Sequence, residues 1–293
     1  MLTVTAMLAV GCKKPNEPNN GNNENPPSGA INGKFTINAD GDQVYFSQGN
    51  LQYQARTQKW QFASKQYEII GDDNNNISSD YNGWIDLFGW GTSGWESGAN
   101  CYEPWSTSSH GEDYWPGGDS SNDLTGSCVN ADWGIYNAIT NGGNIAGVWR
   151  TLTGVFNGEW YYVFKTRNTP SGIRYAKAQV AGVNGMILLP DDWDTNTCVI
   201  NDPNDAEASY SSNVFNEKQW TTMEDAGVVF LPAAGMRMGA SAYKTGVDGN
   251  YWTASYTGIN SSFNLYFTDS SLGVCGSGNR GFGFAVRLVC PVN

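Results

Sequence analysis

The stretch GNYWTASYTGINSSFNLYFTDSSLGVCGSGNRGFGFAVRLVC, residues 249–290, decides how this chain is read. Within it, apolar residues alternate with small and polar ones at the period of an extended strand. Phe263, Leu265 and Phe267 fall on one face, and Asn264, Tyr266 and Thr268 on the other. Further on, Leu272 and Val274 take the apolar phase, while Ser271, Gly273 and Cys275 take the outward one. The intervening Thr-Asp-Ser-Ser at 268–271 reads as a turn, so the two runs make a hairpin. Loops rich in Gly, Ser and Asn flank it at 257–262 and 276–282, and residues 284–289 read as a closing strand.

A rigid hairpin bearing small polar residues and an occasional aromatic suits recognition. The expected contact positions are Thr257, Ile259, Asn260, Asn264, Tyr266, Thr268, Ser271, Gly273, Ser277, Asn279 and Phe282. Tyr266 and Phe282 are the expected anchors, because an aromatic ring gives large contact area for little entropy loss. Taken alone, the hairpin also fits an ordinary solvated sheet face.

Upstream, two short strand patterns at 34–37 and 43–46 flank Asn38-Ala39-Asp40-Gly41-Asp42, a hairpin signature. Residues 51–53 and 60–62 continue the strand pattern. Residues 131–141 predict a helix, capped by Asn130 or Asp132, with Trp133, Tyr136 and Ile139 at helical spacing. Residues 153–166 predict a second, weakened by Gly158. A buried strand is expected at 183–189, a short helix at 216–226 and a strand at 228–231. Two main helices, short antiparallel strands and long loops make an α+β layout.

Several strings carry a family resemblance. They are YWTAS at 251–255, NLYF at 264–267 and GFAVRLV at 283–289, with VYFSQGNLQY at 44–53, IDLFGWGTSG at 85–94 and DWGIYNAI at 132–139 upstream. WRTLT at 149–153, GMILLPDDW at 185–193 and FLPAAG at 230–235 extend it. The chain resembles the Fibrobacter succinogenes major paralogous domain family and its relatives in gut Bacteroidetes, with their YWSSS…YxVxF…GFSVRLV ending. The resemblance implies a C-type-lectin-like fold, as in formylglycine-generating enzymes and the variable proteins of diversity-generating retroelements. In those variable proteins the C-terminal segment carries the diversified, ligand-contacting positions.

The first twelve residues, MLTVTAMLAVGC, are apolar and end in small residues before a cysteine. They read as a lipoprotein signal (1–12), with Leu8-Ala9-Val10-Gly11 as the cleavage site and Cys12 as the lipidated residue. Such a stretch is too short to span a bilayer. Residues 13–30 hold almost no apolar side chain and read as a flexible Pro/Asn-rich tether, leaving 31–293 as one domain. A lipid anchor plus a spacer predicts an outer-membrane lipoprotein at the cell surface. The net charge of −12 argues against nucleic acid and against charge-driven membrane binding. With 12 Trp, 15 Tyr and 12 Phe, the chain can build a substantial core without a full disulfide framework.

Of six cysteines, Cys101 and Cys128 bracket a Trp/Gly/Ser-rich loop, and an exported chain would link them. Cys198, Cys275 and Cys290 leave an odd count. No CxxC, HExxH or GxSxG occurs, and His110, the single histidine, sits in the same loop. Gly276-Ser277-Gly278-Asn279-Arg280-Gly281 matches GxGxxG but lacks the strand–helix context of a dinucleotide site. The acidic runs at 72–76 and 201–205 lack the register of a calcium loop and read as solvated turns. Cys275 and Cys290 do not resemble the reactive pair of formylglycine-generating enzymes. The expectation is therefore a surface-anchored binding protein, not an enzyme, with no cofactor or metal and an unidentified protein or glycan partner. Its rivals are a structural or adhesive surface protein and an enzyme on a formylglycine-generating-type scaffold.

Overall fold

The computed structural model describes residues 26–292. The expectations for Cys12 and most of the tether lie outside them. The described chain mixes about 17% helix with 30% strand, the strands spread over several small sheets.

β1 (Ala30–Thr36) and β2 (Gln43–Ser47) form the expected hairpin, closed at Thr36↔Gln43. Its turn holds because the Asn38 side-chain oxygen accepts from the Asp40 and Asp42 amides. β3 (Leu51–Gln54) pairs with β4 (Lys59–Phe62). A four-stranded sheet follows, made of β5 (Tyr175–Val180), β6 (Val183–Leu188), β7 (Val214–Phe215) and β8 (Val229–Pro232), in the order β7-β5-β6-β8. Both of its faces are covered. Met186 and Leu188 enter the main core, whereas Ile187 faces a second apolar layer with Trp220 and Met223.

β9 (Met236–Met238) and β10 (Ser241–Tyr243) make a small ribbon. β11 (Gly249–Gly258), β12 (Ser261–Thr268) and β13 (Ser271–Asn279) form the C-terminal meander. β14 (Val289–Pro291) returns to pair with β2, so both ends of the described chain meet in one sheet.

The helices are shorter than the periodicity predicts. Only α1 (Trp133–Tyr136) forms within 131–141. Asp132 caps it through the Gly134 amide, but the Asn137 side chain takes the Trp133 carbonyl and the backbone turns extended. Ile139 then bridges to Trp60, and Asn141 exchanges side-chain hydrogen bonds with the Phe62 backbone. In 153–166, Gly158 becomes the cap of α2 (Glu159–Tyr161), which runs on as a π turn through Tyr162–Thr166. The third, α3 (Glu217–Asp225), is the longest, and Asn216 and Gln219 close a reciprocal capping box at its start.

The closing strand expected at 284–289 is mostly bridges. Phe284 pairs with Phe88 and Ala285 with Tyr251, and only Val289–Pro291 joins a ladder. Between them Arg287 turns inward, fully buried, and donates to Gln66 at 2.6 Å and to Asn50 at 3.4 Å.

Candidate functional site

The β12–β13 hairpin is present with Asp269 and Ser270 as its turn, and the Thr268 and Ser271 hydroxyls bond across it at 2.8 Å. The expected alternation holds only in part. Leu265 and Phe267 are fully buried in the main core, but Phe263 and Leu272 are only half-buried. Asn264, expected outward, is 4% exposed. It pairs with Trp252 on β11 and with Gly276 on β13, and the Trp252–Phe284 ring pair belongs to a second aromatic core on that side. Sequence alternation assumed one wet face; here both faces are roofed at mid-strand. A register shift between Asn264 and Tyr266 accompanies the change of environment.

This burial divides the expected contact positions into two groups at opposite ends of β12. Thr257, Ile259, Asn260, Ser277, Asn279 and Phe282 cluster around the β11–β12 turn, where Ser261 pairs with Asn279. Tyr266, Thr268, Ser271 and Gly273 lie toward the other turn. At ~3.4 Å per residue, the eight residues of β12 separate those turns by about 25 Å. All four members of the second group are half-buried, as are Thr257, Asn260, Asn279 and Phe282. Ile259, 66% exposed, and Ser277 are the open positions.

The β11–β12 turn is held to an unusual degree. Its four consecutive carbonyls, those of Gly258, Ile259, Asn260 and Ser261, all accept hydrogen bonds from two residues. Arg280 Nη2 donates to Gly258 O at 3.1 Å, Arg280 Nε to Ser261 O at 3.3 Å, and the Arg280 amide to Asn260 O at 3.0 Å. Trp115 Nε1 donates to Ile259 O at 2.7 Å. Arg280 also reaches Ser120 O at 2.6 Å. Burial pulls its guanidinium down to about 10, against the opposing pull of Asp123, so it remains a cation at neutral pH.

The long loop at 91–131 supplies the rest of the support. The Tyr256 amide donates to Asp123 Oδ1 at 2.7 Å and the Leu124 amide to Ala254 O at 2.9 Å. Gly111 packs so closely on Asn260 that a Cβ there would lie 2.4 Å from its carbonyl oxygen. Sequence reasoning missed Tyr256 (38% exposed), Trp115, Asp123 and Arg280, all built into this tip. No local periodicity marks them. The only available signal was the density of Trp, Gly and Ser at 90–130.

Beside Trp115 lies an open cleft of about 500 Å³ bordered by Glu96, Glu112 and Asp113. Its carboxylates disfavour an anionic ligand there. The disulfide expected between Cys101 and Cys128 is not formed in this structure: both are buried free thiols facing the same 115–117 turn. The Cys101 Sγ is 3.8 Å from the Trp115 carbonyl, and a Cβ on Gly117 would lie 3.0 Å from the Cys128 Sγ. His110 is exposed on this loop. Among the described residues, no three His, Cys, Asp or Glu side chains are grouped to hold a metal ion, and no helix is long and apolar enough to cross a membrane. The chain matches no family model, no curated protein and no solved structure.

Proposed function

We propose that the chain is a surface-anchored binding protein built on a C-type-lectin-like domain, whose contact face is the β11–β12 tip with its neighbours Tyr256, Ile259, Asn279 and Phe282. The observation that carries this reading is the pinning of all four turn carbonyls beneath a large, 66% exposed Ile259. The clamp also stabilises the fold, and a contact residue held in place by it loses little entropy on binding. An exposed aliphatic side chain beside a half-open tyrosine supplies the apolar centre of an interface.

The far group, Tyr266, Thr268, Ser271 and Gly273, takes the secondary role in this proposal. The partner is a protein or glycan, not nucleic acid, given the chain's net charge of −12. Lipidation at Cys12 and an outer-membrane address complete it, as does relationship to the Fibrobacter succinogenes major paralogous domain family, with or without retroelement diversification of the C-terminal segment.

The test is capture of a ligand from intact cells or a glycan panel by immobilised wild type, compared with Ile259→Asp and Thr268→Ala. The proposal expects Ile259→Asp to lose the ligand and Thr268→Ala to keep it. Equal capture by wild type and Ile259→Asp refutes it.

A further inference from the structure

A second pocket shares none of its lining residues with the hairpin tip. It encloses about 230 Å³ and is lined by Tyr53, Trp60, Trp105, Tyr136, Ser93 and Asn137, with no charged side chain among its lining residues. Tyr53 and Trp60 are buried and pack at 4.4 Å between ring centroids, forming an aromatic floor. Trp105 lies nearly parallel to Tyr53, at an interplanar angle of 22°, and is half-buried. Tyr136, 40% exposed, stands at the rim. Four aromatic side chains around one opening are more than a solvated hollow needs.

The polar groups are fixed and incompletely used. Asn137 donates both amide hydrogens to backbone carbonyls, to Ser93 O at 2.8 Å and to Trp133 O at 3.0 Å. That fixes its side chain and, among the described residues, leaves Oδ1 as a free acceptor. Ser93 is spent on the scaffold, donating to Asn130 O and accepting from the Trp95 amide. Among the described residues, neither the Tyr53 hydroxyl nor the Trp105 indole N–H has a hydrogen-bond partner, and neither is sealed from solvent. Burial pushes the Tyr53 phenol up to about 12, so it keeps its proton and can both donate and accept.

We infer that this pocket binds one pyranose unit of a neutral saccharide. A pyranose presents axial C–H groups on a face that packs on aromatic rings, and a rim of hydroxyls that each donate and accept. The unpaired Asn137 Oδ1, Tyr53 hydroxyl and Trp105 N–H offer the matching acceptor and donors. An aromatic cage for a quaternary ammonium is the other ligand class for such a lining. It fits less well, because no carboxylate lines the pocket and the Tyr53 and Trp105 rings are nearly parallel, not set as the sides of a box.

The experiment is saturation-transfer NMR and tryptophan fluorescence on the whole chain, using free hexoses, N-acetylhexosamines and tetramethylammonium as probes. At least one monosaccharide should saturate at millimolar concentration, with transfer strongest at ring C–H protons. Trp105→Ala should weaken it by ~10-fold or more, and rim variant Tyr136→Ala by several-fold. Tyr53→Phe should weaken it with the fold intact, whereas Val199→Ala, at an 80% exposed position outside both sites, should leave it unchanged. Absence of saturable binding by every sugar overturns the inference. So does saturation by tetramethylammonium alone, or sugar binding indifferent to both Trp105→Ala and Tyr136→Ala.

Discussion

The Arg280 guanidinium lies over the Trp90 indole, 4.6 Å from its ring centroid, while its nitrogens hold carbonyls of three separate residues. Trp90 in turn donates its amide to the Arg280 carbonyl at 2.9 Å and its indole N–H to Thr253 O at 2.8 Å. The cation is thus a bolt joining the 91–131 loop to the hairpin tip. Among the described residues no carboxylate forms an ion pair with it; backbone carbonyls hold it, with Asp123 acting from farther off.

Removing that bolt should loosen the tip. Arg280→Ala leaves the Gly258, Ser261 and Ser120 carbonyls short of a donor and removes the cation–π contact, a cost of about 2–4 kcal/mol. Arg280→Lys keeps the charge but cannot span the same carbonyls, so it should recover only part of the loss. Denaturant melts give the stability, and hydrogen exchange at 258–262 gives the locality. Unchanged exchange there in Arg280→Ala would contradict the assigned role.

Asn264 and Thr268, equivalent by alternation, should behave differently. Asn264 is buried against Trp252 and Gly276, so Asn264→Asp should destabilise by several kcal/mol through an uncompensated buried charge. Thr268→Ala loses two hydroxyl contacts at the turn, with the Ser271 hydroxyl and the solvent-exposed Ser270 amide, and should cost about 1 kcal/mol or less. Equal melting midpoints for the two variants would mean that mid-strand Asn264 is solvated after all.

That contrast marks the limit of what the sequence could tell. Local signals were legible: the Asn38 to Asp42 turn, the Asp269-Ser270 turn and the short helix starting after Asn216 all lie where they were expected. The buried phase of Leu265 and Phe267 was legible too. What covers the opposite face was not, because Phe284 and the 91–131 loop arrive from elsewhere in the chain. The helix expected at 131–141 failed for a related reason. Asn137 caps it early and Ile139 is claimed by a bridge to Trp60, a tertiary preference that periodicity cannot see. The clamp on the tip rests on Arg280 and Trp115, which no local pattern singles out.

Asp86 should give stability a distinct pH dependence. Burial raises its carboxyl from 3.8 to about 6, against the hydrogen bonds from Asn74 and the Ile70 amide that favour the anion. The folded state therefore holds a proton that the unfolded state releases between roughly pH 4 and pH 6. This contribution is fully present below pH 4 and is lost as pH rises through 6, about 3 kcal/mol in all. Nearby Glu68 titrates with the opposite sign; partial burial would raise it, but hydrogen bonds from Gln52 and Ser64 outweigh that and lower it. The Asp86 effect is thus read as the difference in pH slope between wild type and Asp86→Asn. Parallel slopes from pH 4 to 6 would exclude it.

If the chain is exported, two cysteine modifications should appear together. Cys101 and Cys128 both face the 115–117 turn and should be recovered as a linked pair by non-reducing peptide mapping of protein from the cell envelope. Cys12 should carry lipid, and Cys12→Ser should move the protein out of the membrane fraction. Free thiols at 101 and 128 in envelope material, or unchanged fractionation of Cys12→Ser, would each refute the corresponding claim.

The central claim, that the β11–β12 tip is the contact face, is tested most directly by a hydrogen-exchange footprint. The full chain is compared with and without the ligand captured by wild type. The account predicts that new protection concentrates at residues 256–262 and 279–282 and in the supporting loop around Trp115, with the 268–273 turn changing less. Protection confined to the β7-β5-β6-β8 sheet, or to the 268–273 turn with the tip unchanged, would contradict it.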